Sequence, residues 1–162
     1  MIIDAGYWNL LLAIALGAVV GWERFIDHKP AGLRTHTMVA LGAAGMMVVA
    51  RGIMGDSPEA SREMSRVMQG VITGIGFLGA GSILQSGGSV RGLTTAASIW
   101  IVAAIGVAAG GGQVGFAIAL TVGTWIVLRG FRAVERAWLK RHPRKSPGAH
   151  SPPQASAQFD RG

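Results

Sequence analysis

The sequence predicts an all-α membrane protein, a polytopic helix bundle of about five transmembrane helices with Gly-rich packing. Three observations predict it. Residues 67–128 carry a single formal charge, Arg91. Half of the 162 residues are hydrophobic and only 14% are charged, too few to cover a globular surface. Twenty-five are glycine, a residue that lets helix backbones approach where apolar burial gives no net drive. One bilayer crossing takes roughly 20 helical residues, so the longest apolar run alone holds about three.

The charge gaps delimit the elements. Span one covers residues 5–22, with Trp8 and Trp22 placed as interfacial anchors. It is not expected to be a signal peptide, because it lacks a basic leader, carries Asp4, and has too long an apolar run. Span two covers 35–50 and can extend if Arg51 snorkels to the interface. Asp56 and Ser57 can cap a short amphipathic helix from about Pro58, with Pro58 in its first turn and Glu59 favouring the dipole. That helix leads into span three, residues 67–85. Spans four (93–110) and five (111–128) are divided at Gly110-Gly111-Gly112. Residues 131–141 continue the last span as a basic amphipathic interfacial helix, with Phe131, Val134 and Trp138 on one face. Residues 142–162, rich in Pro and Ser without apolar periodicity, read as a disordered tail. The organisation expected is thus a membrane domain over 1–130, the interfacial helix, and the tail.

Five spans place twelve of the fifteen Lys and Arg residues on one side: Arg24, Lys29, Arg34, Arg91 and the eight from Arg129 onward. Arg51, Arg62 and Arg66 fall on the other. The positive-inside rule assigns the twelve, and the C-terminus, to the cytoplasm and the N-terminus to the outside. The net charge of +7 therefore suits anionic lipid headgroups rather than nucleic acid. With no cysteine, thiolate metal sites and disulfides are excluded. There is no nucleophile–base pattern, metal triad or P-loop, so the chain is not expected to be an enzyme, and no cofactor is implied beyond Mg²⁺ as a ligand or transported ion.

Four patches carry the candidate chemistry. Glu23, where span one meets the cytoplasm, is either an ion ligand or the partner of Arg24 or Arg34, and the structural pair is favoured. The starts of spans two and four, Gly32-Leu33-Arg34-Thr35 and Arg91-Gly92-Leu93-Thr94-Thr95, each join an Arg to unpaired helix N–H groups. Thr94 and Thr95 can cap the second of these. Such ends suit a phosphate or lipid headgroup, and equally suit Glu23 as an internal counter-ion. In span three, Gly74, Gly76 and Gly79 match the letters of a dinucleotide fingerprint, but no strand precedes them and no acidic residue follows before Glu135. Gly70, Gly74, Gly76, Gly79 and Gly81 read instead as close-packing positions, or as an unwound segment whose carbonyls line an ion site. Gly17 and Gly21, and Gly106 and Gly110, repeat the four-residue spacing. Most of the polar side chains of Thr73, Ser82, Gln85, Thr94, Thr95, Ser98, Thr121 and Thr124 are expected to bond to neighbouring helices or to their own backbone. His36 reads as a boundary residue.

Gly21-x-Glu23-Arg24, Ala31-Gly32-Leu33-Arg34-Thr35, Gly74-Ile75-Gly76-Phe77-Leu78-Gly79-Ala80-Gly81 and Val90-Arg91-Gly92-Leu93-Thr94-Thr95-Ala96-Ala97 resemble, in order, the motifs of the MgtC/SapB family. The resemblance covers roughly residues 5–130. It implies a multi-span bacterial inner-membrane protein linked to magnesium homeostasis and growth at low Mg²⁺, with virulence roles in some relatives. It also implies an association, in parts of the family, with inhibition of the F-type ATP synthase. Longer members add a soluble C-terminal domain, whose role is not carried over here; the short form looks more like the SapB branch. Two functions follow as expectations: a non-enzymatic membrane regulator contacting lipid, a membrane-protein partner or further copies of itself, and, as the alternative, a Mg²⁺ transporter or channel. The spans as drawn contain no carboxylate, which weighs against the second.

Overall fold

The computed structural model describes residues 2–55, 58–86 and 89–141. Five helices account for nearly all of them: α1 (Ile2–Ile26), α2 (Leu33–Met54), α3 (Ala60–Gly81), α4 (Leu93–Gly110) and α5 (Val114–Arg141). Between α3 and α4 a short antiparallel hairpin pairs β1 (Leu84–Ser86) with β2 (Ser89–Arg91). The bundle is all-α in class, and the hairpin is the feature that apolar patterning does not announce.

Direction in the bundle is fixed by contacts between named residues. His36 near the start of α2 meets Ser98 near the start of α4, and Arg51 near the end of α2 meets Gly111 just after α4. So α2 and α4 run parallel. Gly21 of α1 lies against Leu33 and Gly6 against Val48, so α1 runs antiparallel to α2. Gly79, near the end of α3, faces Ala96, near the start of α4. Met64 and Met68, early in α3, share a cavity with Arg51 and Gly111. Helix α3 therefore returns the chain from one end of the bundle to the other. The chain passes between the two ends five times.

Four of the five helices, α1, α2, α4 and α5, are long and apolar enough to cross a membrane. Helix α3 makes the same passage but falls outside that set, for two reasons. Its first two turns hold Arg62, Glu63 and Arg66, and it stops at Gly81 rather than continuing to Gln85. The amphipathic helix expected from Pro58 and span three are one continuous element, beginning at Ala60 with Glu59 as its N-cap residue. The capping expected of Asp56 and Ser57 lies outside the described residues, as does the tail from residue 142. Helix α5 likewise runs without a break from Val114 into the basic stretch, with Phe131, Val134 and Trp138 exposed.

Close packing is concentrated on α2. A Cβ on Gly17 would stand 2.7 Å from Ala40 Cβ, and one on Gly21 2.8 Å from Leu33 Cα. Cβ atoms on Gly106 and Gly110 would run into the backbone carbonyls of Ala40 and Ala44. These four glycines are where α1 and α4 press onto α2, around a core of Ala13, Val20, Ala40, Ala44, Val102 and Ile105. The span-three glycines behave differently. All five lie within regular helix, so the segment is wound. A Cβ on Gly70, Gly74, Gly76 or Gly81 would meet nothing within 4 Å, and one on Gly79 only Ala96, at 3.8 Å. Gly70 and Gly74 instead line an open groove between α2 and α3.

Thr73, Ser82, Thr121 and Thr124 turn their hydroxyls onto their own helix backbone, donating to carbonyls of Gln69, Gly79, Ala117 and Leu120. Helix α2 extends through Arg51 to Met54, and Arg51 is exposed. Its Nη1 donates to the Gly111 carbonyl at 2.8 Å, tying α2 to the α4–α5 turn. That turn uses Gly112 at φ +80, a left-handed conformation that costs glycine little.

Candidate functional site: a buried polar cluster at one end of the bundle

The end of the bundle where α1 and α3 finish and α2 and α4 begin contains buried charge. Glu23 and Arg24, in the last turn of α1, are each 2% exposed. Glu23 Oε1 accepts a hydrogen bond of 2.5 Å from Arg132 Nη2 on α5, and Asp27, just past α1, pairs with the same nitrogen. Glu23 and Asp27 stand four residues apart, the spacing that puts two side chains on one helical face, so one guanidinium on α5 serves both. The partners expected for Glu23 were Arg24 and Arg34. Arg34 is exposed at the start of α2, outside the cluster, and Arg24 turns the other way.

Arg24 Nη2 donates to Thr95 Oγ1 at 2.9 Å, in a buried contact between α1 and α4. Thr95 therefore does not cap α4. The N-cap residue is Gly92, at φ +93, and no side chain caps the helix. A Cβ there would collide with the Ser82 carbonyl, so only glycine lets the hairpin fold back beside the end of α3.

His36, in the first turn of α2, is fully buried within the bundle. Its Nδ1 donates to the Gly32 carbonyl at 2.9 Å, one turn back in α2. Its Nε2 lies 2.9 Å from the Ser98 hydroxyl oxygen on α4. Ser98 Oγ in turn donates to the Thr95 carbonyl at 2.8 Å. Three helices are thus joined by Arg24, Thr95, Ser98 and His36, while Glu23, Asp27 and Arg132 join α1 to α5. Among the described residues three buried side-chain atoms have no hydrogen-bond partner: Glu23 Oε2, Arg24 Nε and Asp27 Oδ2, the last of which is met by Arg132 as an ion pair.

Of the residues singled out by sequence, the structure gathers Glu23, Arg24, Gly32, Gly92 and Thr95 at this end. Thr94 and Arg91 line a cavity beside it, while Thr35 is exposed. Arg132, Asp27 and His36 are the members that sequence reasoning missed, while Ser98, expected to bond to a neighbouring helix or to its own backbone, does both. The Glu23–Asp27 spacing was a usable signal for a shared cation, but the choice of Arg132 among the basic residues of α5 depends on how that helix is rotated. Among the described residues no group of three His, Cys, Asp or Glu side chains is placed to hold a metal ion.

A sequence profile described as the MgtC family matches residues 10–137. The chain belongs to the MgtC family. Every member of the polar cluster, from Glu23 to Arg132, lies within the matched stretch. Among curated proteins, Protein SrpB of Synechococcus elongatus is 44% identical over 83% of this chain and 79% of its own length. Protein MgtC of Brucella abortus is 46% identical over 68% of this chain, and Protein MgtC of Salmonella typhimurium 46% over 70%. The matched region spans 44% and 47% of those two proteins, so the chain covers less than half the length of its MgtC relatives. No solved structure matches.

Proposed function

We propose that this MgtC-family protein is a non-enzymatic regulator of the bacterial inner membrane, supporting magnesium homeostasis and growth at low Mg²⁺ through contact with another membrane complex. The observation that carries the reading is the Glu23–Arg132 ion pair. Mg²⁺ needs hard oxygen ligands in near-octahedral geometry and sheds its water reluctantly. Glu23 Oε1 and Asp27 Oδ2 already face the Arg132 guanidinium, which offsets one of their two negative charges. The pair fastens α5 to α1 and so fixes the rotation of α5. The outer face of that helix exposes Phe116, Val122, Trp125 and Ile126, large apolar side chains available to lipid or to a partner helix.

The resemblance makes the membrane sector of an F-type ATP synthase a candidate partner, with further copies of the chain as the other. The asymmetry of Lys and Arg supports an orientation with the Glu23 end in the cytoplasm. The test is Mg²⁺ flux into proteoliposomes, paired with photo-crosslinking from position 122 in cells. The expected result is no flux above empty vesicles, and a crosslink to one membrane complex that is lost in Arg132→Ala. Flux from folded protein that disappears in Glu23→Gln would replace the regulator with the Mg²⁺ transporter.

A further inference from the structure

Beside the ion-paired cluster lies a cavity of ≈ 730 Å³, between the start of α4, the hairpin and the last turns of α5. Among the described residues its lining carries Arg24, Lys29, Arg91 and Arg132 and no carboxylate. Arg132 is answered from behind by Glu23 and Asp27. Arg24 has a hydroxyl as its hydrogen-bond partner, and its Nε, although the residue is 2% exposed, has none. A buried guanidinium with an idle N–H is a costly arrangement unless an acceptor joins it. Lys29 and Arg91 stand exposed at the rim, and the uncapped first turn of α4 contributes backbone N–H groups from the same wall.

A multiply charged oxyanion satisfies all of these donors together. Guanidinium forks match phosphate oxygens, and helix N-termini favour negative charge. The opposite wall is apolar, formed by Val127, Leu128 and Phe131 of α5. Free phosphate has no use for such a wall, whereas an acyl chain does.

We infer that this cavity binds a phosphate oxyanion, carried by the headgroup of an anionic phospholipid whose chain lies along Val127 and Phe131. The site does not depend on the regulatory reading, because the cavity and its basic lining would exist equally in a transporter.

The experiment is native mass spectrometry of the purified full chain, titrated with phosphatidylglycerol and, separately, with phosphatidylcholine of the same chains. Inorganic phosphate is titrated in parallel by calorimetry. The wild type should prefer phosphatidylglycerol. Lys29→Ala with Arg91→Ala should lower its apparent affinity about thirtyfold, in line with two basic residues at an anionic surface. Arg51→Ala, at the opposite end, should leave it unchanged. Lys29→Gln alone, at an exposed loop position, repeats the readout if the double variant folds poorly. Saturable phosphate binding without lipid preference would keep the oxyanion site and overturn the lipid as its source. Equal retention of both lipids without phosphate binding, or an equal loss in Arg51→Ala, would overturn the site altogether.

Discussion

Arg24 Nη2 reaches Thr95 Oγ1 at 2.9 Å across seventy-one positions of sequence, and both residues are 2% exposed. This contact turns two helix ends into one unit. It explains why a guanidinium adjacent in sequence to Glu23 does not pair with it. Arg24 is directed at α4, and the charge of Glu23 is met by α5 instead.

Removing Arg132 should be among the most damaging single changes in the protein. It leaves Glu23 buried without a cation, a situation that costs about 3–5 kcal/mol. Arg132→Ala should therefore lower the thermal unfolding midpoint in detergent sharply, and Glu23→Gln much less, because a neutral amide can still hydrogen-bond. In an Arg132→Ala background, Glu23→Gln should restore part of the loss. Additive effects of the two changes would show that they do not share an interaction.

Glycines should divide into two groups by substitution. Gly106→Val and Gly110→Val force side chains into the carbonyls of Ala40 and Ala44 and should abolish folded yield. Gly74→Ala and Gly76→Ala enter open space within a regular helix and should be neutral, or stabilising by up to about 1 kcal/mol. Fluorescence-detected size-exclusion profiles of the four variants decide it, and a collapse of Gly74→Ala would show that α3 packs against something outside the single chain.

Ser98→Ala removes the hydroxyl that bridges His36 to α4. Leaving a buried ring nitrogen without its partner costs about 1–3 kcal/mol, so His36→Ala and Ser98→Ala should each destabilise, with a double-mutant loss smaller than the sum. Chemical denaturation in mixed micelles would measure both. Strict additivity would mean that the 2.9 Å contact contributes nothing.

The five passes give a topology that labelling can read directly. Because the chain has no cysteine, single cysteines at Gly55 and Gln113 should react with an impermeant maleimide from one side of the membrane, and those at Lys29 and Arg91 only from the other. Labelling of Gly55 and Arg91 from the same side would mean that α3 does not cross.

Most of the fold was legible because apolar runs and glycine pairs depend on local periodicity. Helices α1, α2, α4 and α5 follow from charge gaps, and the turn at Gly111–Gly112 from its own composition. Legibility failed where tertiary geometry decides. Nothing local in Leu84–Arg91 separates a hairpin from the end of a span. Gly70 and Gly106 sit in similar small-residue patterns, yet one faces a groove and the other a carbonyl. Three of the seven members of the polar cluster were visible in Glu23, Arg24 and Thr95, since charge at a membrane boundary stands out, and Ser98 was expected to bond to a neighbouring helix or its own backbone. His36 gave no such sign, because a buried histidine and an exposed one look alike until the partner helix is placed.

The pairing of Glu23 and Asp27 with Arg132 also sets an order of events during synthesis. The acids emerge at the end of the first helix and their shared cation in the last, 109 residues after Glu23. Until α5 arrives, the growing bundle lacks the guanidinium that both carboxylates share. A chain halted before Arg132 cannot close this end, so the ion pair distinguishes a finished molecule from an interrupted one.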